Sequence, residues 1–245
     1  CSAVRAVWNP AATSVTMIHI DLTFRDSNLK HRLVGLAGYG APDMSTGRYI
    51  TLEGAEGCGK STHAARLADA LDAVLTRETG GTAIGQRIRT ILHDTTVTNL
   101  SHRAEALLTA ADRAQHIDEI VAPALISGRH VVSDRSVYST LAYQGYGREL
   151  PLAEVRRLNE WAVGTHWPHL VLLLDAAPEV LERRMRGRQL DRFEQEGDDF
   201  HRRVRDGFRQ MAVDEPARWV TIDGSQSLDA VARAIRGAVK ERLGI

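Results

Sequence analysis

Cysteine is almost missing from this chain: only Cys1 and Cys58 occur in 245 residues. Two thiols cannot build a disulfide framework and suit a reducing compartment, so a cytoplasmic protein is expected. Long apolar runs are missing too. Crossing a bilayer takes about 20 apolar residues, whereas the longest strongly apolar run, Leu170 to Leu174, ends at Asp175. No membrane association is expected. Nor is there an excess of charge of either sign, because 31 basic and 31 acidic side chains cancel. Without a global positive field, nucleic acid is not expected as the main partner, and any anion binding must be local. Lysine is scarce, three against 28 arginines, and the sequence holds no internal repeat or low-complexity tract. What is present, 43% hydrophobic and 25% charged residues, fits one globular domain with room for an appendage.

The first 43 residues mix short apolar pieces with Asn9-Pro10, several Ser and Thr, and the glycine-spaced stretch Gly35 to Gly40. No period is sustained there. Asp21 and Asp26 before the apolar stretch argue against a targeting peptide. Residues 1–43 are therefore expected to be a poorly ordered extension, with one domain over 44–245 and Met44 as a candidate natural start. From Tyr49 onward the pattern is regular. Short β-rich runs at 49–53, 130–133, 170–174 and 219–222, with a weaker one at 73–76, alternate with helical periods at 60–72, 84–93, 101–127, 136–144, 151–163, 178–187, 197–214 and 227–243. That alternation predicts an α/β fold, a parallel sheet covered by helices on both faces. Pro123 should kink or end the long third helix.

Directly after the first strand comes Gly54-Ala55-Glu56-Gly57-Cys58-Gly59-Lys60-Ser61-Thr62, which satisfies G-x-x-x-x-G-K-[ST] and opens into a helix. Such glycines allow a turn whose N–H groups converge on phosphate oxygens. The helix start adds partial positive charge, Lys60 adds a full one, and Ser61 is placed to hold Mg²⁺. A nucleoside triphosphate is implied, and little more, since GTPases, motors and small-molecule kinases share the loop. The run His130 to Arg135 reads as a buried strand ending on an acid. Asp134 is the candidate metal-side carboxylate, a role compatible with capping the next helix, and Arg135 offers a fork of donors to a second phosphate.

These motifs and others along the chain resemble bacterial thymidylate kinases. The resemblance spans residues 48–243 and is carried by 49–57 with its loop, by Thr76-Arg77-Glu78-Thr79-Gly80-Gly81-Thr82, Ala110-Ala111-Asp112-Arg113-Ala114-Gln115-His116 and Asp134-Arg135-Ser136, and by Ser139-Thr140-Leu141-Ala142-Tyr143-Gln144-Gly145 and Leu190-Asp191-Arg192-Phe193-Glu194. It implies a P-loop three-layer fold with a five-stranded parallel sheet, Mg·ATP as phosphoryl donor, dTMP as acceptor and a homodimer. It further implies that Glu56 receives the deoxyribose 3′-hydroxyl and Arg135 the dTMP phosphate. Arg113, Thr140 and Gln144 would read the thymine edge, and Tyr143 would crowd the 2′ position. Glu78 and Arg89 would line the same pocket. Phosphoryl transfer needs positioning and charge neutralisation more than a protein nucleophile, so such a set makes chemical sense.

Arg183, Arg184, Arg186, Arg188 and Arg192 crowd the segment after the fourth strand. Glu182, Asp191, Glu194 and Glu196 could answer this charge on a solvated face. The family resemblance offers a lid at about 183–196 instead. Members whose loop lacks a base place the catalytic arginine in that lid. Here the variable loop positions are Ala55, Glu56, Gly57 and Cys58, so the chain resembles the lid-arginine type, with Arg188 and Arg186 as candidates beside Lys60 and Arg135.

Two positions depart from the family pattern. Thr109 stands where a phenylalanine usually stacks on thymine, and Thr79 replaces the proline of Glu-Pro-Gly-Gly. A lost base–aromatic stack predicts weaker or less selective dTMP binding, by ~1–3 kcal/mol. A related kinase with another acceptor, or a non-catalytic P-loop binding module, are the alternatives.

Overall fold

The computed structural model describes residues 47–245; the expected extension, 1–43, lies outside them. Five strands form one sheet: β1 Tyr49–Glu53, β2 Val74–Arg77, β3 Val131–Asp134, β4 Leu170–Asp175 and β5 Trp219–Asp223. The order is β2-β3-β1-β4-β5 and every pairing is parallel. Parallel neighbours need long crossovers, and the helices supply them: α1 Lys60–Ala70, α2 Ala83–His93, α3 His102–His116, α4 Ala122–Ile126, α5 Val137–Thr140, α6 Leu152–Val163, α7 Pro178–Met185, α8 Asp198–Asp214 and α9 Leu228–Leu243. All five expected strands are present.

Strand β4 shows why the sheet is buried on both faces. Leu170, Leu172 and Leu174 join one core with Leu67 of α1 and Ile235 of α9, whereas Val171 and Leu173 join the opposite core with Tyr138, Phe208 and Trp219. A period of two thus feeds two helix layers, and the strand reads as an unbroken apolar run. Edge strand β2 alternates between half-buried and exposed instead.

Helix starts follow local chemistry. Thr82, Ser101 and Ser227 each accept a bond from the backbone N–H three residues on and so cap α2, α3 and α9. The region read as one helix over 101–127 is α3 and α4 joined by a π-helical segment, Ile117–Val121. In it the Ala122 N–H donates to the Ile117 carbonyl. Widening the turn just ahead of Pro123 accommodates the ring and its missing donor, so the chain runs helically to Ile126 rather than stopping. A second π-helical segment, Leu141–Gly147, extends α5.

Strand β1 is flanked by β3 on one side and β4 on the other. The chain leaves β1 toward one edge of the sheet and later crosses to the other, which opens a crevice at the carboxyl ends of the central strands.

Candidate active site

The loop after β1 turns on positive-φ glycines: Gly54 at 139°, Gly57 at 77° and Gly59 at 95°. Only glycine adopts such angles freely. At Gly54 a Cβ would also come within 2.5 Å of the Leu174 carbonyl oxygen. Helix α1 then begins at Gly59 with no side-chain cap and no acid in its first turn. Its first N–H groups therefore remain free for an anion. Lys60 is buried, with Nζ 2.8 Å from the Ala55 carbonyl oxygen and 4.0 Å from a Glu56 carboxylate oxygen. Ser61 donates to Asp134 Oδ2 at 2.5 Å, joining the helix start to the end of β3.

Arg135 follows Asp134 with φ 76°, a strained angle for a side chain with a Cβ. That turn aims its guanidinium across the loop. Nη2 pairs with Glu56 and reaches the Tyr143 hydroxyl at 3.1 Å, while Nη1 reaches Ser139 Oγ at 3.0 Å and the Gly54 carbonyl oxygen at 3.3 Å. Its Cζ lies 5.0 Å from the Tyr143 ring centroid. Burial disfavours charge on Glu56, but Arg135 and then Lys60 outweigh it and hold the carboxyl at about 2. Glu53, the last residue of β1, is fully buried and accepts from Ser136 Oγ at 2.7 Å and Ser139 Oγ at 2.6 Å. There burial dominates and pushes the carboxyl up to about 7.

Deeper in, Arg113 is 2% exposed. Its Nη2 lies 2.8 Å from Glu78 Oε2 and 3.0 Å from the Ser136 carbonyl oxygen, Nη1 bonds Asn159, and Nε has no partner among the described residues. Glu78 also meets His116 Nδ1 at 2.9 Å. Burial would raise Glu78, yet Arg113 and His116 prevail and hold it below its ordinary value. Arg89 donates to the Thr79 carbonyl oxygen at 3.1 Å. Thr109 spends its hydroxyl on the Ala106 carbonyl oxygen at 2.8 Å. It faces the cleft without a ring, and the phenyl and phenol groups there belong to Phe193 and Tyr143.

Most of these side chains line one cleft of about 490 Å³. Of the residues singled out from sequence, it gathers Glu56, Gly57, Gly59, Lys60, Ser61, Thr62, Glu78, Arg89, Arg113, Asp134, Arg135, Thr140, Tyr143, Gln144 and Arg188. Gly54, Ala55 and Cys58 shape the loop without lining the cleft, and Arg186 does not line it either. On the segment expected to form a lid, Arg188 donates to Met185 Sδ at 3.2 Å and Arg184 to the Gly224 carbonyl oxygen at 2.9 Å.

Sequence reasoning gave no role to Glu53, Arg77, Phe193 and the supports Glu105 and Asn159, and it favoured Arg186 over Arg184, which lines the cleft. Glu105 is fully buried and binds Gln144, Arg148 and Arg192. A signal existed: Glu105, Thr109 and Arg113 recur every four residues on α3, a polar stripe that Asp112 and His116 widen, and all five are buried. Polar residues at core spacing on a helix mark a site or a network.

Comparison with known proteins finds relatives over most of the chain. A family model described as thymidylate kinase matches residues 52–235. A thymidylate kinase of Synechococcus sp. (strain JA-3-3Ab) is 50% identical over 201 residues, covering 80% of this chain and 96% of the relative. One of Bifidobacterium longum (strain NCC 2705) is 45% identical over 203 residues, covering 80% and 98%. The crystal structure of thymidylate kinase from Ehrlichia chaffeensis superposes with a TM-score of 0.66 at 28% identity, covering 80% of this chain and 99% of that one.

Proposed function

The chain belongs to the thymidylate kinase family, and from that premise we propose that it transfers the terminal phosphoryl group of ATP to the phosphate of dTMP, giving dTDP and ADP. One observation carries the reading: the uncapped start of α1 with Lys60, and the guanidinium of Arg135, open into the same cleft. Two polyanions can meet there with a cation on each.

Lys60 would sit against the transferring phosphoryl group, where positive charge counts most. Arg135 would anchor the acceptor phosphate. Its present partner Glu56, ionised at neutral pH, would then be free to accept from the sugar 3′-hydroxyl. Tyr143, whose hydroxyl donates to Glu56 at 2.9 Å, would crowd the 2′ position of the sugar. Arg113, Thr140 and Gln144 would read the base, with Glu78 and Arg89 walling the pocket. Arg188 is favoured over Arg186 as the lid arginine, because only Arg188 lines the cleft.

The residues also fit Mg²⁺. Among the described residues Asp134 Oδ1 is buried without a partner while Oδ2 takes the Ser61 hydroxyl. One carboxylate and one hydroxyl suffice for an ion that keeps water and substrate phosphates as its other ligands. When bound, it would neutralise phosphate charge between donor and acceptor. A homodimer is proposed through α3 and α6, where Leu107 is 58% and Trp161 85% exposed. No helix among the described residues is long and apolar enough to cross a membrane. A cytoplasmic location suits an ATP-using enzyme with two cysteines.

A coupled assay of ADP release over dTMP, dUMP, UMP, dCMP and thymidine tests the reading. Turnover should be acceptor-dependent and fastest with dTMP. ADP release that ignores the acceptor, or a clear preference for another one, would overturn it.

A further inference from the structure

Glu105 stands on the first turn of α3 behind the cleft lining, yet it is fully buried and ties three elements together. Its Oε1 accepts from Gln144 Nε2 at 2.8 Å and Arg148 Nε at 3.2 Å. Its Oε2 accepts from Arg148 Nη2 at 3.2 Å and from the lid residue Arg192, Nη2, at 2.6 Å. Burial alone would raise this carboxyl, but Arg148, Gln144 and Arg192 outweigh it and keep it below its ordinary value. Glu105 is therefore a carboxylate, which can accept hydrogen bonds and cannot donate one.

That restriction settles the sense of a neighbouring amide. Facing a pure acceptor, Gln144 must turn its NH₂ toward Glu105, and its carbonyl oxygen is left for the cleft it lines. Among the described residues that oxygen has no donor of its own. We infer that Glu105 is a positioning residue for base selection: by holding the Gln144 amide in one sense it makes the pocket present an acceptor, which suits a base with an N3–H, thymine or uracil, and opposes cytosine, whose N3 is itself an acceptor. This rests on the proposed reading in which Gln144 faces the base edge while Arg135 and Glu56 fix the register of the nucleotide. The arrangement also ties selection to the lid, since Arg192 is bound to the opposite oxygen of the same carboxylate.

Glu105→Gln tests this directly. Arg148 donates to both oxygens, so the shorter bond from Arg192 decides the sense: it would keep the carbonyl oxygen of the new amide at the Oε2 side, and the NH₂ would face Gln144. Gln144 would then have to flip and turn its own NH₂ to the base. The ratio of kcat/KM for dTMP over dCMP should fall by at least about tenfold, because a bond made to the base becomes a clash of two donors. The loss should lie mainly in KM for the nucleoside monophosphate, with KM for ATP unchanged. Glu105→Asp, which remains a pure acceptor, should keep the dTMP preference even where KM rises, a split that a merely structural role would not produce. If Glu105→Gln does not fold, Glu105→Asp and Gln144→Ala carry the test: the dTMP preference should survive in the first and fall in the second, and its loss in both overturns the inference. An unchanged ratio in a folded variant overturns the inference. Gln144→Ala separates the two levels: if it lowers dTMP selectivity and Glu105→Gln does not, Glu105 alone loses its role. A wild-type protein without dTMP-dependent turnover would instead defeat the proposed function.

Discussion

At the scale of single residues, the site is a set of charges held against their natural tendency to be hydrated. Lys60 is 6% exposed and rests on the Ala55 carbonyl oxygen. Its carboxylate neighbour Glu56 is 4.0 Å away and is shared with Arg135, so the buried ammonium is poised for a further anion. Lys60→Ala should lower kcat at least ~100-fold, the scale of losing one preorganised donor at a developing charge, with the thermal unfolding midpoint kept near wild type. Retained turnover would remove Lys60 from the chemistry. Thr109 makes the opposite case, a residue whose smallness matters. It is buried, its hydroxyl is spent on Ala106, and it offers the base no ring. Thr109→Phe should lower KM for dTMP roughly fivefold or more, the yield of one base–aromatic stack of ~1–3 kcal/mol. A KM that is unchanged or higher rejects the stacking explanation.

At the scale of elements, the proposed lid segment after α7 decides which arginine can serve the cleft. Helix α7 ends at Met185, and Gly187 turns the chain at φ 78° before Arg188. Arg186 is left outside the cleft and Arg188 inside it. Farther along, Arg192 grips the Leu92 carbonyl oxygen at 2.8 Å and Asp191 meets His93 at 2.7 Å, so this part of the lid is tied to the end of α2. Arg188→Ala should therefore reduce kcat by ~100-fold while Arg186→Ala changes it less than about threefold, measured at saturating ATP and dTMP. Equal effects would mean that the lid segment swings far enough to exchange the two. Periodicity alone could not choose between them, because the choice depends on a turn at glycine rather than on a helical face.

At the scale of the whole molecule, two properties are measurable. Glu53 is a buried acid at the centre of the sheet, with its carboxyl raised from 4.5 to about 7. Its folded-state value lies above its unfolded one, so the stability it contributes is present below pH 4.5 and is lost as pH rises to about 7. Glu53→Gln removes this dependence. Relative to wild type, the variant should gain stability between those limits, by at most about 3 kcal/mol, in urea unfolding at pH 5 and pH 8. A difference independent of pH would show that Glu53 ionises normally. The proposed dimer makes a second demand. A charge at Trp161, which is 85% exposed on α6, should drive sedimentation from dimer toward monomer in Trp161→Arg. A wild type that sediments as a monomer would dispose of the interface.

The β-rich runs, the helical periods and the loop from Gly54 to Ser61 were readable in the chain because each is a local pattern: an apolar run, a glycine needing positive φ, a cap three residues ahead of its donor. The lysine and serine of the loop, the acid that ends β3 and the arginine after it were legible for the same reason. Sequence order could not show that Asp134 meets Ser61 across 73 positions, nor that Gln144, Arg148 and Arg192 converge on Glu105. Those encounters follow from the order β2-β3-β1-β4-β5 and from the docking of the lid segment. Local patterns specify which residues are buried or exposed along one element. Which buried charge answers which is decided only when distant elements are packed together, because an isolated carboxylate such as Glu105 is affordable in the interior only beside the arginines that tertiary structure brings to it.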